Sequence, residues 1–184
     1  MAAIYKINEI FYSLQGEGVF TGVPAVFVRF SGCNRACDFC DTDFSASTPM
    51  TAEQIVAEIE RYSAKHVVIT GGEPALQVDA ALVEAIKVTG HYVQIETNGS
   101  LPVPDNIDWV TCSPKARPWG IQRVDELKVV YQGQNVEEIA AYFSPRLQSL
   151  QPCSMQNVTE TVAYVLAHPW WRLSLQMHKL IDIK

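Results

Sequence analysis

Three cysteines, Cys33, Cys37 and Cys40, lie in one short segment with C-x3-C-x2-C spacing. Three thiolates this close can ligate one metal centre, and iron–sulfur clusters are held by cysteine thiolates, usually four of them. With only three, one iron is left open to a cofactor or substrate. Zinc is the alternative, with a fourth ligand from elsewhere, such as Cys112, Cys153 or a histidine. Cys112 and Cys153 fit no ligand spacing, however, and we expect both as small apolar core residues.

Three unusual loops follow three apolar runs that are rich in β-branched and aromatic residues. The cysteine segment follows Pro24–Phe30, Gly71-Gly72 follows His66–Thr70, and Asn98-Gly99 follows Tyr92–Thr97. Such runs predict buried strands. In parallel α/β sheets the ligand lies at the carboxyl ends of the strands. We therefore expect the three loops to gather at one end of one sheet.

Helical periodicities alternate with the apolar runs along the whole chain. Thr51 and Gln54 form a capping-box pattern before an amphipathic segment, which predicts a helix. Alternating strands and helices imply parallel pairing through right-handed crossovers. A complete eight-stranded barrel needs about 200 residues at the least. The 184 residues therefore predict an α/β fold, a truncated parallel βα barrel of about six strands with few helices, as a single domain over 1–184. The further predicted strands are Ile107–Cys112, Leu127–Tyr131, Leu147–Leu150 and Arg172–Leu175, and the further helices are Val78–Thr89, Val136–Tyr142 and Asn157–Ala167.

The composition narrows the class of protein. Hydrophobic residues make up 48% of the chain and charged residues 18%, a balance that excludes a disordered chain. The net charge of −6 argues against a nucleic-acid partner, because phosphate binding needs the opposite sign. No apolar run approaches the ~18 residues that would cross a bilayer, and Met1–Phe11 lacks a signal-peptide pattern. We expect a cytoplasmic protein with neither a membrane nor a nucleic-acid partner.

The cysteine spacing, with an aromatic residue before the last cysteine, resembles the radical S-adenosylmethionine superfamily. Gly71-Gly72-Glu73-Pro74, after the next strand, matches that superfamily's second hallmark. The resemblance implies a [4Fe–4S] cluster on the three cysteines, whose open iron binds the methionine part of S-adenosylmethionine and whose electron releases an adenosyl radical. Ser113–Lys115 also fits an ordinary turn. The cofactor-binding residues that the resemblance implies are Phe39, Cys40, Asp41, Gly72, Glu73, Ser113, Pro114, Lys115, Gln151, Pro152, Cys153 and Ser154.

Further motifs resemble the 7-carboxy-7-deazaguanine synthase family over nearly the whole chain. They are Leu14-Gln15-Gly16-Glu17-Gly18, Asp41-Thr42-Asp43 and Gln176-Met177-His178-Lys179. The resemblance implies ring contraction of 6-carboxy-5,6,7,8-tetrahydropterin with loss of ammonia, a step of queuosine biosynthesis. It also implies Mg²⁺ on Thr42, an electron donor such as flavodoxin or ferredoxin, and a homodimer. The substrate-binding residues that it implies are Leu14, Gln15, Gly16, Glu17, Arg29, Thr70, Glu96, Asn98 and His178.

The chemistry of these side chains suits such a substrate, and simpler roles stay open. A guanidinium such as Arg29 can clamp a carboxylate through two hydrogen bonds. Glu17 also fits a solvated loop, and Thr42 a turn. Two other functions remain: a radical-activating enzyme acting on a partner protein, which would leave Gln15, Arg29 and His178 unexplained, and a non-catalytic zinc or iron–sulfur module. No residue stands out as the acid or base of the reaction.

Overall fold

The computed structural model describes residues 3–40, 42–121 and 123–184. Every element whose bounds the sequence predicts is present within two residues of those bounds. Helices and strands alternate over much of the chain, whereas residues 92–131 contain three successive strands. The strands are β1 Tyr5–Leu14, β2 Pro24–Phe30, β3 Thr48–Met50, β4 His66–Gly71, β5 Tyr92–Thr97, β6 Trp109–Cys112, β7 Glu126–Tyr131, β8 Leu147–Pro152 and β9 Arg172–Leu173. The helices are α1 Ala52–Ile59, α2 Ala80–Lys87, α3 Val136–Phe143, α4 Val158–Ala167 and α5 Met177–Leu180.

The described strands form one sheet in the order β3-β1-β2-β4-β5-β6-β7-β8-β9. β1 is antiparallel to both of its neighbours, and every other pair is parallel. The sheet does not close on itself, so the predicted partial barrel is confirmed. Its parallel part contains the seven strands that the sequence predicts individually, β2 and β4 to β9, close to the expected number of about six; β9 has only two residues. β1 and β3 were not among the predicted strands, because Lys6 and Glu9 interrupt the apolar pattern of β1.

Local sequence signals fix where the two helices next to the site begin. Thr51 and Gln54 form the predicted capping box: the Gln54 N–H donates to Thr51 Oγ1, and the Thr51 N–H donates to Gln54 Oε1. Asp79 caps α2 by accepting from the Leu82 N–H at 2.9 Å. Each cap satisfies backbone donors that a helix start leaves unpaired. The start of each helix is therefore stabilised by the side chain of its own N-cap residue.

Alternate residues of the parallel strands face different surroundings. On β2, Val26, Val28 and Phe30 are fully buried in the apolar core that the helices cover. Their neighbours Phe27 and Arg29 face a cavity on the other side. A parallel sheet covered by helices on both faces would be apolar on both. Here the second face carries polar side chains, because it lines the concave interior of the partial barrel.

The segment after β9 connects the far edge of the sheet back to β1. The Met177 N–H donates to the Gly16 carbonyl at 2.8 Å, and Ser13 Oγ donates to the Lys184 carbonyl at 2.6 Å. The Lys184 ammonium also pairs with Glu9 on β1. Residues 174–184 thereby cover the opening that the unclosed sheet leaves. Among the described residues, no helix has the length and apolar character needed to cross a membrane.

Candidate active site

A cavity of about 560 Å³ opens at the carboxyl ends of the parallel strands, a size suited to a small-molecule ligand. Most of the predicted site residues line it, as the strand-end argument expects. Glu73, Pro114 and Cys153 do not line it, and Asp41 lies outside the described residues. The predicted residues that line the cavity are Leu14, Gln15, Gly16, Glu17, Arg29, Cys33, Cys37, Phe39, Cys40, Thr42, Thr70, Gly72, Glu96, Asn98, Ser113, Lys115, Gln151, Pro152, Ser154 and His178.

The three clustered cysteines share one wall of this cavity. The Cys40 N–H donates to the Cys37 carbonyl at 3.0 Å, and the Arg35 N–H donates to Cys33 Sγ at 3.4 Å. Burial raises the pKa of the Cys33 thiol, and the nearby Glu73 carboxylate and the other two thiols raise it further. In the described part of the chain, no three histidine, cysteine or acidic side chains form a group that could hold a metal ion.

The cysteine loop nevertheless has the donor set that an iron–sulfur cluster requires, since each thiol can serve one iron. The loop also contains an unsatisfied donor: Arg35 Nε is shielded from solvent and has no hydrogen-bond partner among the described residues. Buried donors are normally paired. A bound group that carries acceptor atoms would supply the missing partner. The residues present therefore fit a cluster and an adenosyl cofactor in this wall.

Gly72 allows the loop after β4 to lie against the cysteine loop. A β-carbon at Gly72 would overlap the Gly32 carbonyl and the Cys33 β-carbon. The Glu73 N–H donates to the same Gly32 carbonyl at 3.0 Å. Only glycine permits this approach. Gly72 therefore helps to place Cys33 in the cavity wall.

The Glu73 carboxylate lies fully buried beneath the cavity wall. It accepts three hydrogen bonds: from the Ala75 N–H at 2.9 Å, from Thr97 Oγ1 at 2.8 Å and from the Asn98 N–H at 2.6 Å. Burial raises the pKa of Glu73, although these hydrogen bonds oppose the rise. Its oxygens are thus engaged with the protein. Glu73 joins the loop after β4 to the loop after β5.

Asn98 and Lys115 link the cysteine loop to the strands beside it. Asn98 Nδ2 donates to Asn34 Oδ1 at 3.0 Å, so the end of β5 holds the loop. Lys115 Nζ donates to Ser113 Oγ at 2.8 Å and lies 5.4 Å from the centre of the Phe39 ring. Burial lowers the pKa of Lys115, although the neighbouring Cys37 opposes this. A cation therefore lies close to the thiols.

The other two cysteines behave differently from each other. Cys112 is fully buried in the apolar core, which confirms its predicted place, and burial raises the pKa of its thiol. Cys153 is only partly buried, so its predicted core position is wrong. It directly follows β8, where the chain leaves the sheet.

Arg29 lies on the cavity face of β2 and is held from one side. Its Nε donates to Glu9 Oε1 at 3.0 Å, and its guanidinium carbon lies 5.6 Å from the centre of the Phe11 ring. Burial would raise the pKa of Glu9, but Lys184 and Arg29 outweigh it and lower that pKa. Among the described residues, the two terminal nitrogens of Arg29 have no hydrogen-bond partner. A planar anion such as a carboxylate can bind them.

Lys128, which the sequence patterns did not identify, lies at the centre of the opposite wall. It is 4% exposed, and its Nζ donates to Glu17 at 2.7 Å and to Glu96 at 2.8 Å. Burial would raise the pKa of Glu17, but Lys128 lowers it below its ordinary value. Burial raises the pKa of Glu96 to about 7 despite Lys128. The signal available in the sequence was a lone lysine in the predicted strand Leu127–Tyr131, which is otherwise apolar.

Glutamine amides complete the surroundings of both carboxylates. Glu17 Oε1 accepts from Gln151 at 3.2 Å and from Gln176 at 3.0 Å. Glu96 Oε1 accepts from Gln15 at 3.2 Å. Buried carboxylates are tolerated only when paired and hydrogen-bonded in this way.

Two further contacts complete this part of the wall. Gln94 donates to Glu96 Oε1 at 3.1 Å from two positions earlier on β5, beneath the cavity wall. The imidazole of His178 lies directly against Gly16, where a β-carbon would overlap it. His178 therefore reaches the cavity because residue 16 has no side chain.

The sequence profile of the Radical SAM superfamily matches residues 27–110. That segment contains the cysteine loop and Gly72, and together with the partial barrel it defines the class: a radical S-adenosylmethionine enzyme, which uses a [4Fe–4S] cluster and S-adenosylmethionine.

Relatives with known names specify the family within this class. The 7-carboxy-7-deazaguanine synthase of Bacteroides thetaiotaomicron is 57% identical over 180 residues, covering 97% of this chain and 98% of that protein. The enzyme of the same name from Bordetella pertussis is 42% identical over 207 residues, covering 97% and 99%. The crystal structure of QueE from Escherichia coli matches with a TM-score of 0.82 at 32% identity, covering 95% of each chain. The chain belongs to the 7-carboxy-7-deazaguanine synthase family.

Proposed function

We propose that this enzyme converts 6-carboxy-5,6,7,8-tetrahydropterin to 7-carboxy-7-deazaguanine and ammonia, a lyase step of 7-deazapurine and queuosine biosynthesis. The observation that carries the proposal is the cavity itself, in which the thiols of one wall face Arg29 and a polar wall of carboxylates and amides. The names of the relatives support the same reaction. A radical-activating enzyme for a partner protein is not favoured, because the polar wall would then have no use.

The cysteine wall would hold the cofactors. Cys33, Cys37 and Cys40 would bind the cluster, and Phe39, Asp41, Gly72 and the strand-end loops would contact S-adenosylmethionine. When bound, these groups supply the one-electron chemistry that removes a hydrogen atom from the substrate, which no side chain can do. Glu73 would support this wall from beneath by holding the two loops together. The proposed strand-end contacts are Ser113, Pro114, Lys115, Gln151, Pro152, Cys153 and Ser154.

The opposite wall would bind the pterin. The unpaired nitrogens of Arg29 suit its carboxylate, and Mg²⁺ on Thr42 would hold that carboxylate in one orientation. Glu17 and Glu96 can accept from the ring N–H groups. The remaining proposed contacts are Leu14, Gln15, Gly16, Thr70, Asn98 and His178.

The wider setting is part of the same proposal. A small one-electron carrier such as flavodoxin or ferredoxin would reduce the cluster, since an electron from outside the chain must bring the cluster to its active, reduced state. We place the enzyme in the cytoplasm as a single domain over 1–184 that forms a homodimer.

The test is a product assay on anaerobically reconstituted enzyme, with and without Mg²⁺. We expect iron and labile sulfide with the native chain, formation of the deazaguanine from the carboxytetrahydropterin, and a lower rate without Mg²⁺. Cys33→Ala should lose the cluster, whereas Cys112→Ala, the matched control in the core, should keep it. An intact cluster with no deazaguanine formed would contradict the assignment.

A further inference from the structure

The two carboxylates beside Lys128 have nearly identical hydrogen bonds. In each, Oε2 accepts from Lys128 Nζ, at 2.7 Å in Glu17 and 2.8 Å in Glu96. The other oxygen of each accepts from two glutamine amides. One ammonium thus joins two carboxylates that come from distant parts of the chain.

This arrangement encloses one excess negative charge, because two carboxylates share one ammonium. Removing such a charge from water is costly unless a counter-charge accompanies it. A proton bound by one of the carboxylates is the smallest counter-charge available. The pair is therefore built to exchange one proton while Lys128 stays charged.

The charged groups around the pair distinguish its two members. Glu96 faces the Glu126 carboxylate, which lies on the same strand as Lys128 and favours a proton on Glu96. Glu17 lies near the imidazole of His178 and the ammonium of Lys115, and both favour an ionised Glu17. The Cys112 thiol lies near Glu96 from β6. On the remaining side, Gln94 separates Glu96 from the ring of His66, to which its Oε1 bonds at 2.8 Å.

We propose that Lys128 is a positioning residue that joins Glu17 and Glu96 into a pair able to take up and release one proton, and that Glu96 carries a proton from a ring carbon of the substrate to the departing nitrogen during the loss of ammonia. The inference rests on the proposed function. Glu17 then remains a fixed acceptor for the substrate. Glu96 supplies the acid and base that the sequence patterns did not identify.

The proton transfer balances without an added reagent. Ionised Glu96 takes a proton from a ring carbon, and the electron pair of that C–H bond forms a carbon–carbon double bond. The adjacent carbon–nitrogen bond breaks, and its electron pair goes to nitrogen. Glu96 returns the proton to this nitrogen, which leaves as ammonia. Glu96 is ionised again at the end of the step, and the step involves no oxidation or reduction.

The decisive variant is Glu96→Gln, which keeps the shape of the side chain and removes an excess buried charge, so it should fold. The adenosyl radical would take its hydrogen atom from C6, the carbon that bears the carboxylate. With substrate deuterated at C6, we expect deuterium transfer to the adenosyl cofactor within a few fold of the native rate. Ammonia release should fall by about 100-fold or more, the scale of a lost acid–base group. If deuterium transfer and ammonia release fall equally, Glu96 only binds the substrate and the proposal is wrong. Unchanged ammonia release would also overturn the proposal.

Lys128 requires two variants, because Lys128→Met alone leaves two buried carboxylates facing each other. Lys128→Arg keeps the positive charge and should retain a substantial ammonia release with a shifted pH profile. The double variant Lys128→Met with Glu96→Gln restores the net charge of the site; it should fold and transfer deuterium but release little ammonia. A double variant that releases ammonia at the native rate refutes the inference.

Measurements on a control variant and on the native enzyme show whether this inference or the proposed function has failed. Lys87→Met removes a lysine that pairs with Asp108 outside the cavity and should leave the pH profile of ammonia release unchanged. If the native enzyme neither transfers deuterium nor forms the deazaguanine, the proposed function fails. If the native enzyme does both and Glu96→Gln matches it, only this inference fails.

Discussion

Replacing Glu73 with glutamine tests whether this residue supports the site from within the fold. Glu73→Gln keeps the length of the side chain and one carbonyl oxygen. The second oxygen becomes an NH₂ group. If the oxygen facing Asn98 is replaced, two donors oppose each other across a contact that is 2.6 Å in the native chain; otherwise the donors of Ala75 and Thr97 are affected.

The expected loss of stability follows from these contacts. A hydrogen bond to a charged group contributes about 1.5–3 kcal/mol, and an unsatisfied buried donor costs about 1–3 kcal/mol. Glutamine is neutral and costs less to bury than the Glu73 carboxylate, which offsets part of this loss. We expect the free energy of unfolding to fall by about 3 kcal/mol. For a chain of this size, that corresponds to a Tm lower by roughly 6–12 °C.

Thermal and urea unfolding of the cofactor-free chain measure the effect. Glu84→Gln, an exposed carboxylate on α2, is the matched control and should change stability by no more than about 0.5 kcal/mol. If Glu73→Gln unfolds like the native chain and only binding of S-adenosylmethionine is lost, then Glu73 acts as a cofactor ligand and the reasoning here is refuted.

Three further outcomes follow from the geometry of the site. Gly72→Ala should destabilise the chain by about 1–3 kcal/mol and reduce iron retention, because backbone must move to admit the β-carbon; retention equal to the native chain would contradict this. Gly16→Ala should raise the KM for the pterin with a smaller change in Tm, since the side chain of His178 can move aside. Burial gives Glu96 a pKa of about 7 against 4.5 in the unfolded chain, so the folded chain binds its proton more tightly. Between pH 5 and 8 the native free energy of unfolding should fall by about 2.5 kcal/mol more than that of Glu96→Gln. Urea unfolding at several pH values measures this difference, and parallel pH curves would rule it out.

The sequence predicted the parts of the site that depend on local order along the chain. The loops carrying Cys33, Gly72 and Asn98 each follow a buried strand, and parallel pairing brings such loops to one end of a sheet. The cavity lies at that end. The capping box at Thr51 was likewise predictable, because both of its hydrogen bonds are made within four residues.

The rest of the site depends on pairing between distant segments, which a single sequence does not reveal. Lys128 is separated from Glu17 by 111 positions, and only the folded sheet makes them neighbours. The sequence also did not show that the Glu73 carboxylate lies beneath the cavity wall, where it accepts a hydrogen bond from the loop after β5. β1 was missed for a related reason: Glu9, which interrupts its apolar pattern, finds its partners Arg29 and Lys184 only in the tertiary structure.

The alternation along the parallel strands has a consequence for how such an enzyme can diversify. On β2 and β7, residues of the apolar core alternate with residues that face the cavity. Substitutions restricted to the cavity-facing positions would therefore change substrate recognition and leave the core intact. Phe27 and Val130 are suitable first positions, because they line the cavity without belonging to the charged pair. A related enzyme could thus acquire a different heterocycle as substrate through a few substitutions in every second position of an unchanged scaffold.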